Sequence, residues 1–126
     1  MWTYHQCSGE LFAADGELVG RGYAGCREGK NNPGMEALSN IGPLPTGIYT
    51  LRPPINTTLH GPYVLWLEPH RENNMFQRGD FGIHGDSIKK PGTASHGCII
   101  MPRSVRVQMW ESGDHQLLVL SGEEVR

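Results

Sequence analysis

Apolar and polar residues alternate along this chain in short runs, and turn formers break the runs every few positions, a pattern that predicts strands rather than long helices. Trp2–Cys7 reads as a first strand, Ser8-Gly9 as a turn and Leu11–Ala14 as a second strand. Asp15-Gly16 is a hairpin signal, and Leu18–Gly25 returns as the third strand of a meander. Lys30–Gly34 is a loop of turn formers, followed by a short helix over Met35–Leu38 and a strand over Ile48–Leu51. Tyr63–Leu67 is dense enough in aromatic and branched residues to be buried on both faces. Phe81–His84 and Cys98–Met101 are short strands. Pro102 suits the first turn of a helix that runs through Trp110 and stops at Gly113. Val105 and Met109, four apart, face the core together, and Leu117–Leu120 closes the domain as a buried strand. With no internal repeat and no low-complexity linker, residues 1–126 read as one domain.

Composition sharpens the fold class. Seventeen glycines and nine prolines in 126 residues argue against a helical bundle. The expectation is a mainly β domain, a sandwich or barrel with one or two short helices. A net charge of -2 gives no nucleic-acid footprint, and no apolar run approaches the roughly 18 residues of a membrane-spanning helix. Met1–Gln6 has no basic region followed by an apolar one, so no secretory signal is visible and the chain is expected to be made in the cytoplasm. Nothing in the pattern demands more than a monomer.

Three cysteines is an odd count, so at least one stays unpaired or pairs between chains, and Cys98 is the candidate for the reactive one. The meander brings Cys26 towards Cys7. Two strands of a flat sheet lie about 9.5 Å apart, too far for a disulfide, and only a bend closes the gap.

The chemistry concentrates in Ile83-His84-Gly85-Asp86 and Ala94-Ser95-His96-Gly97-Cys98-Ile99. Nucleophilic cysteine chemistry needs a thiolate, a base for the thiol proton and donors for a developing oxyanion. His84 ends one short strand and Cys98 begins another, so the two side chains meet if those strands are neighbours. An imidazole beside the sulfur then draws off its proton. His96 is the weaker base, because its direction diverges from that of Cys98 at a turn, and it serves to shape the loop or contact substrate. The amides of Gly97 and Cys98 are candidate oxyanion donors, Ser95 shapes the loop, and Asp86 and Ser87 stand as orienting or substrate-binding groups.

Other readings compete. A lone cysteine in an apolar stretch is more often inert and buried, and a lone histidine more often structural. His84, His96 and Cys98 are all zinc-ligand types, but the paired Cys-x-x-Cys or His-x-x-x-His steps of zinc sites are missing, so neither a metal nor another cofactor is expected.

The His84-Gly85 step followed by Ser95-His96-Gly97-Cys98 resembles the motif of the L,D-transpeptidase (YkuD-type) family of peptidoglycan enzymes, and Pro45-Thr46-Gly47-Ile48-Tyr49 resembles its recurring strand entry. A narrower resemblance covers nearly the whole chain. Trp2-Thr3-Tyr4, Gly29–Pro33, Gly61-Pro62-Tyr63, Asn73–Phe76 and Ile83–Ser87 are similar to the L,D-transpeptidase-like effectors delivered by type VI secretion. That resemblance implies a YkuD-like catalytic domain with peptidoglycan stem peptides as substrate. It also implies delivery to the periplasm of a rival bacterium and a cognate periplasmic immunity protein as partner. Cys98 would attack the carbonyl of diaminopimelate, the third residue of a tetrapeptide stem. D-Ala would leave, and water or a D-amino acid would resolve the thioester. Many relatives carry an arginine after the Cys-Ile step, where this chain has Ile100. Arg78 and Arg103 are the candidates to hold substrate charge instead, and the loops Asn31–Asn40 and Asn73–Asp80 the candidate pocket walls.

Two alternatives stay open at this point. One is a non-catalytic peptidoglycan-binding module or a housekeeping cell-wall enzyme on the same fold. The other is a cytoplasmic cysteine hydrolase on a different amide, since fold does not fix substrate.

Overall fold

The alternating N-terminal pattern folds as strands β1 (Trp2–His5), β2 (Glu10–Phe12), β3 (Leu18–Arg21) and β4 (Tyr23–Ala24) in a computed structural model that describes residues 1–123. Then come β5 (Gly47–Leu51), β6 (Ile55–Thr57), β7 (Gly61–Pro69), β8 (Gly82–His84), β9 (Ile99–Ile100), the helix α1 (Arg103–Glu111) and β10 (Gln116–Leu120). The architecture is mainly β, as the pattern predicts. Nine of the strands line up as β3-β2-β1-β10-β5-β7-β8-β9-β4, with β6 pairing on β7. The sheet is mixed: β1 with β10 and β8 with β9 run parallel, and the other pairs are antiparallel.

The third predicted strand, Leu18–Gly25, is in fact two. Its halves lie at opposite ends of the strand order yet are separated only by Gly22, so the sheet curls round until its ends meet there, as in a barrel. A side chain at Gly22 would overlap the carbonyl of Ile100, which is why the crossing needs a glycine. The crossing also settles the cysteines. By leaving β3 to pair with β9, the chain carries Cys26 to the carbonyl of Asn40, and Cys7, Cys26 and Cys98 are all unbridged.

Period-two burial marks the inner face, with Trp2 and Tyr4 on β1, Tyr49 and Leu51 on β5, and Leu117 and Val119 on β10 buried together. Leu65, Ile83 and Ile99 fill the centre with no exposed surface. Each such side chain contributes about 1.5–3 kcal/mol on leaving water. Helix α1 lays Val105 and Met109 on this core from Pro102 at its N-cap, as the four-residue spacing predicts. Arg27–Gly29 and Pro33–Met35 are 3-10 turns, and the short helix expected at Met35–Leu38 is instead the end of the second followed by hydrogen-bonded turns. Asn32 caps the second by accepting the amide of Gly34. No helix among the described residues is long and apolar enough to cross a membrane.

Candidate active site

The two halves of the motif are neighbours. Strands β8 and β9 pair in parallel with Ile83 opposite Ile99 and His84 opposite Ile100. Cys98 immediately precedes β9, level with Gly82, so it shares a face with His84 two positions along. Hydrophobic Ile83 and Ile99 anchor the opposite face in the core, which fixes the register and with it the direction of both functional side chains.

His84 is 3% exposed and its Nδ1 lies 2.9 Å from the carbonyl of Gly85, to which it donates. That bond leaves Nε2 as the unprotonated nitrogen, and Nε2 is buried without a hydrogen-bond partner among the described residues. Burial holds the His84 pKa below the ordinary histidine value, opposed by the Gly85 bond and aided by the nearby His60 and Arg106. His60 lies against His84 with ring centroids 4.5 Å apart and the planes tilted by 32°, and meets Trp66 edge-on at 5.5 Å.

Cys98 is half-buried, and its sulfur lies 3.9 Å from the carbonyl of Asp80. No hydrogen bond joins its sulfur to His84 among the described residues. Burial pushes the Cys98 thiol up, against the lowering effects of the Gly82 backbone and of Arg78. Both shifts favour the neutral form of each group, the neutral imidazole of His84 and the neutral thiol of Cys98.

Ser95 is fully buried and organises the loop ahead of the cysteine. Its hydroxyl donates to the carbonyl of Cys98 at 2.6 Å and accepts the amides of Gly25 at 2.8 Å and Gly97 at 3.0 Å. The Gly97 amide is thereby committed, which leaves the amide of Cys98 as the candidate oxyanion donor. Gly97 has φ +142, and a Cβ there would sit 2.6 Å from the Phe81 ring and 2.7 Å from Arg78, so no other residue fits.

Arg78 is buried beneath the loop. Its Nη1 donates to the carbonyls of Glu36 at 2.5 Å and Pro43 at 2.9 Å, its Nη2 to those of Gly42 at 2.9 Å and His96 at 3.3 Å, and it lies 5.0 Å over the Phe81 ring. Asp86 accepts the hydroxyl of Tyr23 at 2.5 Å and the amides of Ser87 and Gly92, while Ser87 accepts the amide of Lys90. Burial works against the Asp86 charge, but those donors together hold its carboxyl below the usual range. Burial and the bond to Asp86 push the Tyr23 phenol up to about 12.

A groove of about 1330 Å³ runs past His84, His96, Asp86 and Ser87, walled by the Thr58–Pro62 turn and by Arg103 and Arg106 of α1. The loops Asn31–Asn40 and Asn73–Asp80 meet instead around a smaller hollow of about 220 Å³ containing Arg78. The exposed His96 lines both and stands at their junction. Arg103 lies over the Tyr63 ring at 5.6 Å. The sequence reading missed His60 and Arg106. His60 repeats the His-Gly step at His60-Gly61, and Arg106 sits beside the core position Val105; those are the only signals either offered. No group of three metal-ligating side chains gathers among the described residues.

Searches of curated proteins and of solved structures found no match. Among protein-family models, the Tlde1 domain matches residues 19–120, from β3 to the end of β10, a span that contains every candidate site residue. The chain therefore belongs to the Tlde1 domain family, a family of L,D-transpeptidase-like type VI secretion effectors.

Proposed function

We propose that the protein is a peptidoglycan-modifying cysteine enzyme, an L,D-carboxypeptidase and D-amino-acid-exchanging L,D-transpeptidase on tetrapeptide stems. The observation that carries this reading is the state of His84. Its Nδ1 is held by Gly85, and its Nε2 is buried, unpartnered and on the face shared with Cys98. An imidazole so held is a base awaiting a proton.

In the reaction the Cys98 thiol turns from Asp80 towards Nε2 of His84. Sulfur attacks the diaminopimelate carbonyl as its proton passes to Nε2, and the amide of Cys98 steadies the oxyanion. The C–N bond to D-Ala breaks, and the departing amine takes the proton from His84. Water, or the amine of a D-amino acid, then attacks the thioester while His84 accepts its proton. The C–S bond breaks and the proton returns to sulfur. His96, at the junction of groove and hollow, contacts the stem, as do Asp86, Ser87 and Arg103 along the groove. Ser95, Gly97 and Arg78 are positioning residues.

As an effector, the protein acts in the periplasm of a target bacterium and removes the stems that cross-linking needs. A cognate periplasmic immunity protein protects the producer. A second reading, a peptidoglycan-binding module without turnover, is favoured by the raised Cys98 thiol and its contact with Asp80 rather than His84.

The test is incubation with disaccharide-tetrapeptide muropeptides, with and without D-Met, followed by mass spectrometry. Loss of D-Ala or its replacement by D-Met, absent in Cys98→Ala, supports the enzyme. Unchanged muropeptides with folded, reduced protein favour the binding module.

A further inference from the structure

Resting on the reading of the groove as a stem-peptide site, we infer that Arg106 is the specificity residue that reads a carboxylate of that peptide. Arg106 is 4% exposed, yet it lines the groove. A guanidinium has five N–H donors. Its Nε donates to the carbonyl of Met101 at 3.2 Å, and its Nη1 donates to those of Pro62 and Tyr63, both at 2.8 Å. Those three bonds use Nε–H and both protons of Nη1. Nη2 keeps both of its protons without a protein acceptor among the described residues. It lies on the groove side beside Gly85, where an added Cβ would come within 3.1 Å of it.

No carboxylate of the described residues forms an ion pair with Arg106. Burying a guanidinium without a counter-charge is unfavourable, and three carbonyls offset that only in part. The rest of the groove does not supply the missing anion. Its cations include Lys89 and Arg103, neither of which is ion-paired among the described residues, while its acidic side chain, Asp86, is occupied by Tyr23 and two amides. In a chain of net charge -2, this wall is locally positive. A rigidly held guanidinium with one free –NH2, next to the residue that orients the base, fits a single carboxylate oxygen through a charge-assisted N–H bond. The three carbonyl bonds fix the fork before substrate arrives, so little side-chain entropy is lost on binding.

The test uses Cys98→Ala protein, which binds without turnover, and titrates it calorimetrically with the free stem tetrapeptide and with versions in which each carboxylate in turn is converted to its amide. One amide is expected to bind about tenfold more weakly than the parent, the effect of one charged hydrogen-bonding contact. Which amide it is assigns the contact to D-Ala, diaminopimelate or D-Glu. Adding Arg106→Gln is expected to bring parent and amide within about twofold. Because Arg106→Gln also removes carbonyl bonds, Gly85→Ala serves as the second variant. It crowds Nη2, leaves the other donors in place, and is expected to erase the same preference. Equal binding of the parent and every amide, no binding of any peptide, or a preference that survives both variants would overturn the inference. Turnover of muropeptides by the intact enzyme is read separately, so the catalytic reading can fail while the carboxylate preference stands, and the reverse.

Discussion

The hydroxyl of Ser95 donates to the carbonyl of Cys98 across 2.6 Å, so the residue that begins the Ser-His-Gly-Cys step also fixes the backbone at its end. The same oxygen accepts two amides, those of Gly25 and Gly97, which ties the loop to the segment just after β4. Ser95→Ala leaves a buried carbonyl and two buried amides without their partner. A loss of about 2–4 kcal/mol is expected, since each such group costs about 1–3 kcal/mol and some relax. Chemical denaturation of the variant against the parent checks it, and a change below about 0.5 kcal/mol would mean the hydroxyl is dispensable.

Removing the thiol or the base should separate chemistry from folding. Cys98→Ala is expected to abolish turnover of muropeptides with an unchanged melting temperature. His84→Ala should lose at least about 100-fold, the usual scale of general-base catalysis. His96→Ala should lose less than His84→Ala, because its imidazole is exposed at the groove junction. Equal tolerance of Cys98→Ala and Lys89→Ala would sink the mechanism.

The direction of the His84 shift sets the acid limb of activity. Its folded pKa lies below the ordinary histidine value because burial disfavours the cation. The base form is therefore favoured at neutral pH, and kcat/KM should fall only below the ordinary histidine range. Stability follows the same sign: the contribution is fully present above the unfolded value and is lost as pH falls through the folded one. The His84→Gln variant, titrated by thermal melting between pH 4 and 8, should show a flatter profile. A parent profile that loses stability on going from pH 6 to pH 8 through this residue would reverse the assignment.

Much of this architecture is legible in the chain because strands announce themselves by alternation. Trp2 and Tyr4, Tyr49 and Leu51, and Leu117 and Val119 all face inward as their spacing predicts. The split of Leu18–Gly25 is not legible, since a glycine inside a strand pattern signals a bulge as readily as a crossing. What decides is the carbonyl of Ile100 pressing on Gly22, a contact far away in sequence. The site divides in the same way. His84 and Cys98 are readable from their motif. Arg78 lies close to the motif in sequence, but its four carbonyl partners come from loops that only the fold brings together. His60 lies against His84 and meets Trp66 edge-on, contacts that no local pattern encodes.

Those four carbonyls make Arg78 a test of positioning. Arg78→Lys keeps the charge but has no planar fork to bridge four acceptors. It is expected to lower stability by at least about 2 kcal/mol, on the scale of one lost charged hydrogen bond, and to reduce kcat more than it raises KM. Calorimetry and steady-state kinetics on one preparation check both. A variant with intact stability and a raised KM alone would instead make Arg78 a substrate ligand.

In the proposed mechanism Cys98 carries the stem peptide as a thioester formed with His84 as base. The most direct measurement is intact-protein mass spectrometry of acid-quenched reactions with tetrapeptide muropeptide, with peptide mapping of any adduct. The expected adduct equals the substrate less D-Ala and lies on Cys98, not on Cys7 or Cys26. It should be released by hydroxylamine and be far slower to form in His84→Ala. D-Ala release with no adduct on Cys98, or release that persists in Cys98→Ala, would contradict it.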